Sequence, residues 1–187
     1  ACSWPVFWSR SDTPIAVTEY NLVSFEAGDT EQSMTRAFNA LYVAETIGRL
    51  ATAGVEIANH WNLANGVTNS GTDYGMIDLE SGKPRPTYYA MQLWSRMGGD
   101  LVELDGVDSV AGVALYASRR DDGSIAVVTI NRGADVAATT VGVVSGALAT
   151  GRLTCVATDD LSAQKIDPPI KLDVAMSNGV APATLPG

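Results

Sequence analysis

The sequence predicts an α/β segment followed by an all-β segment: two parallel βα units first, then an antiparallel β-sandwich domain. Two observations carry this reading. Near the start, two short apolar runs, Pro14–Thr18 and Val55–Ala58, flank one long stripe of helical period. Strand, helix, strand in that order implies a parallel pair joined by a crossover. From Leu101 onward the helical period disappears, and runs rich in Val, Thr and Ala alternate with turn sequences such as Asp121-Asp122-Gly123 and Asn131-Arg132-Gly133-Ala134. The change of period puts the boundary near Gly99–Val107, dividing the chain into residues 1–100 and 101–187.

Residues 1–13 are rich in aromatics, including Trp4, Phe7 and Trp8, and follow no regular period, so they read as a loop that lines a groove or covers buried surface. Pro14 opens the strand Ile15–Thr18. A polar loop then leads to Asp29, which with Gln32 three places on resembles a capping box, so a helix is expected from there. Met34, Ala37, Phe38, Leu41, Ala44, Ile47 and Ala51 recur at helical spacing, and Gly54 supplies the stop. The loop 63–83 is long and rich in Gly, Asn, Ser and Asp, a composition and length often tied to function. Pro86 suits the first position of a further helix, with Tyr89, Leu93 and Met97 spaced by four, Trp94 on its buried side and Gly98-Gly99 as its end. Strands are expected at 112–118, 124–131, 136–144, 152–157 and 170–174.

The chemistry concentrates at the ends of the two early strands. The first runs into Thr18-Glu19-Tyr20-Asn21 and the second into Asn59-His60-Trp61-Asn62. The carboxyl edge of a parallel sheet is where α/β proteins place their chemistry. Glu19 is therefore the candidate catalytic residue, and Tyr20 and Asn21 are donors able to hold it ionised. Trp61 offers a ring face, and His60 and Asn62 are hydrogen-bonding types suited to a hydroxyl-rich ligand. Each has an ordinary alternative, a solvated Glu in a turn or a Trp packed in a core.

With 46% hydrophobic and 18% charged residues among 187, the composition is that of a globular protein. A net charge of −9 and a pI near 4.4 argue against a nucleic-acid partner, which needs a basic surface. No apolar run is long enough to cross a bilayer, and the first residues lack a signal peptide's pattern, so a soluble protein without its export signal is expected. Cys2 and Cys155 lack metal-ligand spacing, and His60 is the only histidine, so no metal or cofactor is expected. The two cysteines suit either one long-range disulfide, as in a secreted protein, or two free thiols.

The order Thr-Glu-Tyr-Asn strand end, long helix, Asn-His-Trp-Asn strand end, long loop, helix and β domain resembles the carboxyl-terminal part of clan A retaining glycoside hydrolases, especially families 39, 44 and 51. The segments Gly75–Leu79 and Lys83–Ala90 add to the resemblance, which covers residues 14–160. It implies the last two units of a (β/α)8 barrel with an appended β-sandwich, Glu19 as nucleophile and Trp61 lining a sugar subsite. A plant-type polysaccharide or oligosaccharide is the implied substrate, and the implied location is extracellular.

A barrel of this class needs eight units, about 250 residues, and only two precede the β domain. The acid/base of these families lies in an Asn-Glu pair, which this chain lacks. Glu26, Asp29, Asp73 and Asp78 are the carboxylates that could reach the same side, with Asp29 better explained as a cap and Asp78 as a turn residue. Glu56 suits a polar barrel interior. The resemblance thus implies a partner supplying the missing barrel half, or a homo-oligomer. Two other readings stay open: a non-catalytic carbohydrate-binding or structural module, and a small stand-alone hydrolase with a rebuilt site.

Overall fold

Two parallel strands side by side open the structure, as the strand, helix, strand order requires. The computed structural model describes residues 13–66, 72–104, 112–133, 137–142, 150–175 and 180–185. Cys2, Trp4, Phe7 and Trp8 lie outside the described residues. Strand β1 (Ile15–Tyr20) pairs in parallel with β2 (Val55–His60), and helix α1 (Ala37–Thr52) makes the crossover. Both strands run two residues beyond their expected ends. Tyr20 is level with His60, so the polar endings are still extended backbone. The register slips between Val17 and Tyr20.

The start of α1 departs from expectation. The Asp29 carboxylate does accept backbone N–H groups, from Ser33 at 2.5 Å and Met34 at 3.0 Å, but these open a separate 3-10 turn, Ser33–Thr35. Gln32, at φ 54°, does not close a capping box; its side-chain oxygen accepts from Gln164 at 2.9 Å. The helix proper starts at Ala37 without a side-chain cap. Its first N–H groups, on Ala37 and Phe38, donate to the carbonyls of Ala163 and Leu161 at 2.8 and 3.0 Å. Donors left over at a helix start must find partners somewhere, and here a distant loop provides them. The other end behaves as expected, with Gly54 at φ 78°.

Helix α2 (Pro86–Trp94) has Pro86 in its first turn but ends before Gly98-Gly99; Ser95, Arg96 and Met97 continue as turns. Ala40 and Val43 of α1 pack on Ala90 of α2, with Ala44, Ile47 and Met91 around them. Trp94 is buried, as its place in the stripe predicts.

The remaining strands are β3 (Asp100–Leu101), β4 (Val113–Arg119), β5 (Ile125–Asn131), β6 (Ala137–Gly142), β7 (Thr150–Cys155), β8 (Ile170–Ala175) and β9 (Val180–Leu185). All pairings among them are antiparallel: β3-β4-β5, β6-β9 and β7-β8. Strand β9 escapes a pattern search because Pro182, which cannot donate to a ladder, interrupts it opposite Thr140. The β segment also meets the helices at a close approach of β4 to α1. Tyr116 of β4 lies on α1 where Gly48 has no side chain, and its ring is 5.4 Å from that of Trp94.

Candidate functional site

The ends of β1 and β2 are tied together before any side chain reaches a ligand. The Trp61 N–H donates to the Tyr20 carbonyl at 2.9 Å, and the Asn21 side-chain amide donates to the Trp61 carbonyl. The Asn21 side-chain oxygen accepts from the Leu22 N–H at 2.7 Å and from Asn39 of α1 at 3.4 Å. Asn21 therefore braces both strand ends against the helix. The segment 72–78 continues the knot: Asn62 donates to the Tyr74 carbonyl at 3.3 Å, and Met76 donates to that of Asn62 at 3.0 Å. The Trp61–Asn62 peptide bond is cis.

A cleft of about 740 Å³ opens beyond this knot, lined by Glu19, Tyr20, Asn21, Trp61 and Tyr74 together with residues of the loop after β1. Glu19 is exposed to solvent and is the one carboxylate among the cleft's described lining residues. Strict strand alternation would send Glu19 and Tyr20 to opposite faces. The observed burial agrees with that alternation, Glu19 lying exposed and the Tyr20 hydroxyl buried. Trp61 keeps 46% of its surface exposed, so its ring is not spent in a core.

His60 and Asn62 do not line this cleft. The His60 ring sits edge-on to Tyr20, with centroids 5.4 Å apart at 86°, and neither of its nitrogens has a hydrogen-bond partner among the described residues. Burial pushes its pKa down to about 4, so the imidazole is neutral at neutral pH. The Tyr20 hydroxyl is likewise buried and unpaired, and burial, with a smaller effect from Tyr42, pushes it up to about 12. The Asn62 side chain donates to Asn65 at 2.9 Å.

Three other nearby acids are already engaged, and the side chain of a fourth, Glu26, lies outside the described residues. Asp29 caps the 3-10 turn. Asp73 is buried, accepts the Gly75 N–H at 2.8 Å and pairs with Arg85 at 2.6 Å. Asp78 pairs with Arg85 at 2.9 Å and accepts the Ser81 N–H, and hydrogen bonding from Ser81 holds its carboxyl below the usual range. Glu56 on β2 is exposed. The Cys155 thiol is free, half-buried and pushed up by burial.

Sequence reasoning missed Phe25 and Tyr74, both cleft residues. Tyr74 sits inside a stretch read only as a polar loop, and nothing in its neighbours announces that Asp73 and Arg85 fix that loop beside Trp61. Phe25 offered one signal, an aromatic ring between Ser24 and Glu26 in the loop after β1.

No protein-family model matches the sequence, and no curated protein matches it. Solved structures do. The GH51 arabinofuranosidase from Xanthomonas axonopodis pv. citri superposes with a TM-score of 0.61 at 16% identity, over 81% of this chain and 34% of that one. The catalytic domain of GH30 xylanase C from Talaromyces cellulolyticus gives a TM-score of 0.60 at 19% identity, over 93% of this chain and 36% of that one. The fold is glycoside-hydrolase-like. The likeness is one of fold, and the chain spans about a third of the length of either enzyme.

Proposed function

We propose that this chain is the carboxyl-terminal part of a retaining glycoside hydrolase of the clan A kind, close to families 39, 44 and 51, with Glu19 as its nucleophile. Residues 1–100 are the last two units of a (β/α)8 barrel and residues 101–187 its β-sandwich. The observation that carries the reading is the position of Glu19: exposed, at the carboxyl end of a parallel strand, lining one cleft with the exposed Trp61. The substrate is a plant-type polysaccharide or oligosaccharide, met outside the cell. The solved enzymes of like fold, an arabinofuranosidase and a xylanase, favour pentose-containing glycans.

In the proposed reaction a Glu19 carboxylate oxygen attacks the anomeric carbon, forming a glycosyl ester as the bond to the leaving oxygen breaks and its electron pair departs with that oxygen. The leaving oxygen takes a proton from a second carboxyl group about 5–5.5 Å away. Water, deprotonated by that group, then attacks the same carbon and releases Glu19. Asp29, Asp73 and Asp78 are committed to caps and ion pairs; in this reading the second carboxyl belongs to a partner that supplies the remaining barrel units. Trp61 stacks on the sugar, while Tyr20, Asn21, His60 and Asn62 shape and brace the strand ends around it.

A reagent that needs no acid tests Glu19 on the isolated chain. Dinitrophenyl 2-deoxy-2-fluoro-β-xyloside carries a leaving group stable as an anion, and the fluorine slows release of the ester. Stoichiometric dinitrophenolate and a fluoroxylosyl mass on the peptide containing Glu19 are expected, with both lost in Glu19→Gln. A label on another residue, or equal release by the Gln variant, defeats the assignment.

A further inference from the structure

The loop after β1 carries a side chain that the catalytic reading leaves unused. Phe25 is 62% exposed, more than Trp61 at 46%, and it lines the same cleft as Glu19. A single exposed apolar residue is ordinary on a surface, but Phe25 lies inside a concave site with a second exposed aromatic, the combination that ligand pockets show. The backbone that carries the ring is turned by a hydrogen bond. The Gly28 N–H donates to the Phe25 carbonyl at 3.1 Å, closing the 3-10 turn Glu26–Gly28. A Cβ on Gly28 would stand 3.5 Å from Phe25 Cζ and 3.1 Å from Val23 Cγ1, so the ring tip rests over the bare glycine.

We propose that Phe25 is a second sugar-stacking platform, which makes the cleft a site for at least two consecutive sugar units; the inference rests on the glycosidase reading of the same cleft. The cleft's chemistry selects this ligand class. Sugar rings present flat C–H faces that stack on aromatic rings, and hydroxyl edges that need polar partners. Phe25 and Trp61 offer the faces from two different loops, while Glu19 and Ser24 line the cleft with them. An apolar ligand would strand those polar groups without water, at a cost. A volume of about 740 Å³ exceeds what one sugar ring fills.

The test is a titration of the full chain followed by Trp fluorescence, using xylobiose and xylohexaose as probes, for wild type, Phe25→Ala and Phe25→Tyr. Wild type binds xylohexaose more tightly than xylobiose. Phe25→Ala weakens xylohexaose about three- to tenfold, the range expected for one aromatic contact, and collapses the length dependence, whereas Phe25→Tyr keeps it. Unchanged xylohexaose affinity in Phe25→Ala, wild type that binds neither sugar, or an equal loss with both sugars overturns the proposal. So does a change in sedimentation with Phe25→Ala, which would make the ring a protein contact. Failure of Glu19 to take the fluoroxylosyl label while the length effect persists sinks the nucleophile and leaves Phe25 as a sugar platform.

Discussion

His60 and Tyr20 press against each other behind the cleft with three polar atoms buried and unpaired among the described residues. Folding lowers the His60 pKa from its ordinary 6.5 to about 4. Between those values the unfolded chain binds the extra proton and the folded one does not. The contribution of neutral His60 is therefore fully present above pH 6.5 and is lost as pH falls toward 4. In His60→Phe that part of the slope disappears. Thermal unfolding from pH 7 to pH 4 should show the variant losing about 1–2 kcal/mol less than wild type, allowing for the portion of the ring that water reaches. Tyr20 gives the opposite kind of test. Its hydroxyl is buried without a partner among the described residues, so Tyr20→Phe should unfold at equal or higher urea concentration, by up to about 1 kcal/mol. Glu19 stands apart from both: it is exposed and lines open cleft, so Glu19→Gln should leave stability within about 0.5 kcal/mol of wild type while it abolishes labelling.

At the scale of elements, two joints hold the cleft's frame. One is the buried pair Asp73–Arg85, with side-chain exposures of 2% and 10%, which fixes the segment carrying Tyr74. Arg85→Met removes one charge and leaves Asp73 unpaired in the interior, at an expected cost of about 3–5 kcal/mol in urea unfolding. The other joint is the contact of Tyr116 with Gly48, where a methyl group would run into the ring. Gly48→Ala should cost about 1–3 kcal/mol, and Gly48→Ala in a Tyr116→Ala background markedly less. Neither joint was legible beforehand. Periodicity exposed α1, α2 and the parallel pair, because those follow from neighbours in sequence. The abrupt polar endings after apolar strands exposed Glu19 and Trp61 for the same reason. What stayed hidden depended on partners far along the chain: the true start of α1, the clamp on Tyr74 and the seat of Phe25 over Gly28. Strand β9 was hidden by its own proline.

On the scale of the whole molecule, the parallel pair bears on association. Among the described residues β1 and β2 form a sheet of two, and Ile15 and Ile57 are 55% and 54% exposed. Unpaired backbone groups on an open sheet edge, beside exposed apolar side chains, invite further strands. The isolated chain should sediment above its 19.6 kDa monomer mass, and Ile57→Lys should shift it toward monomer without lowering the unfolding midpoint. A stable monomer with both isoleucines intact would argue against a partner at this sheet.

The loop that closes the start of α1 also sets an order of events during synthesis. Ala37 and Phe38 emerge from the ribosome well before the carbonyls that receive their N–H groups, those of Ala163 and Leu161 between β7 and β8. Until that loop is made, the helix behind Glu19 has a frayed end. The cleft therefore matures late, and a nascent chain stalled before β7 should lose the first turn of α1 to protease sooner than the finished protein does.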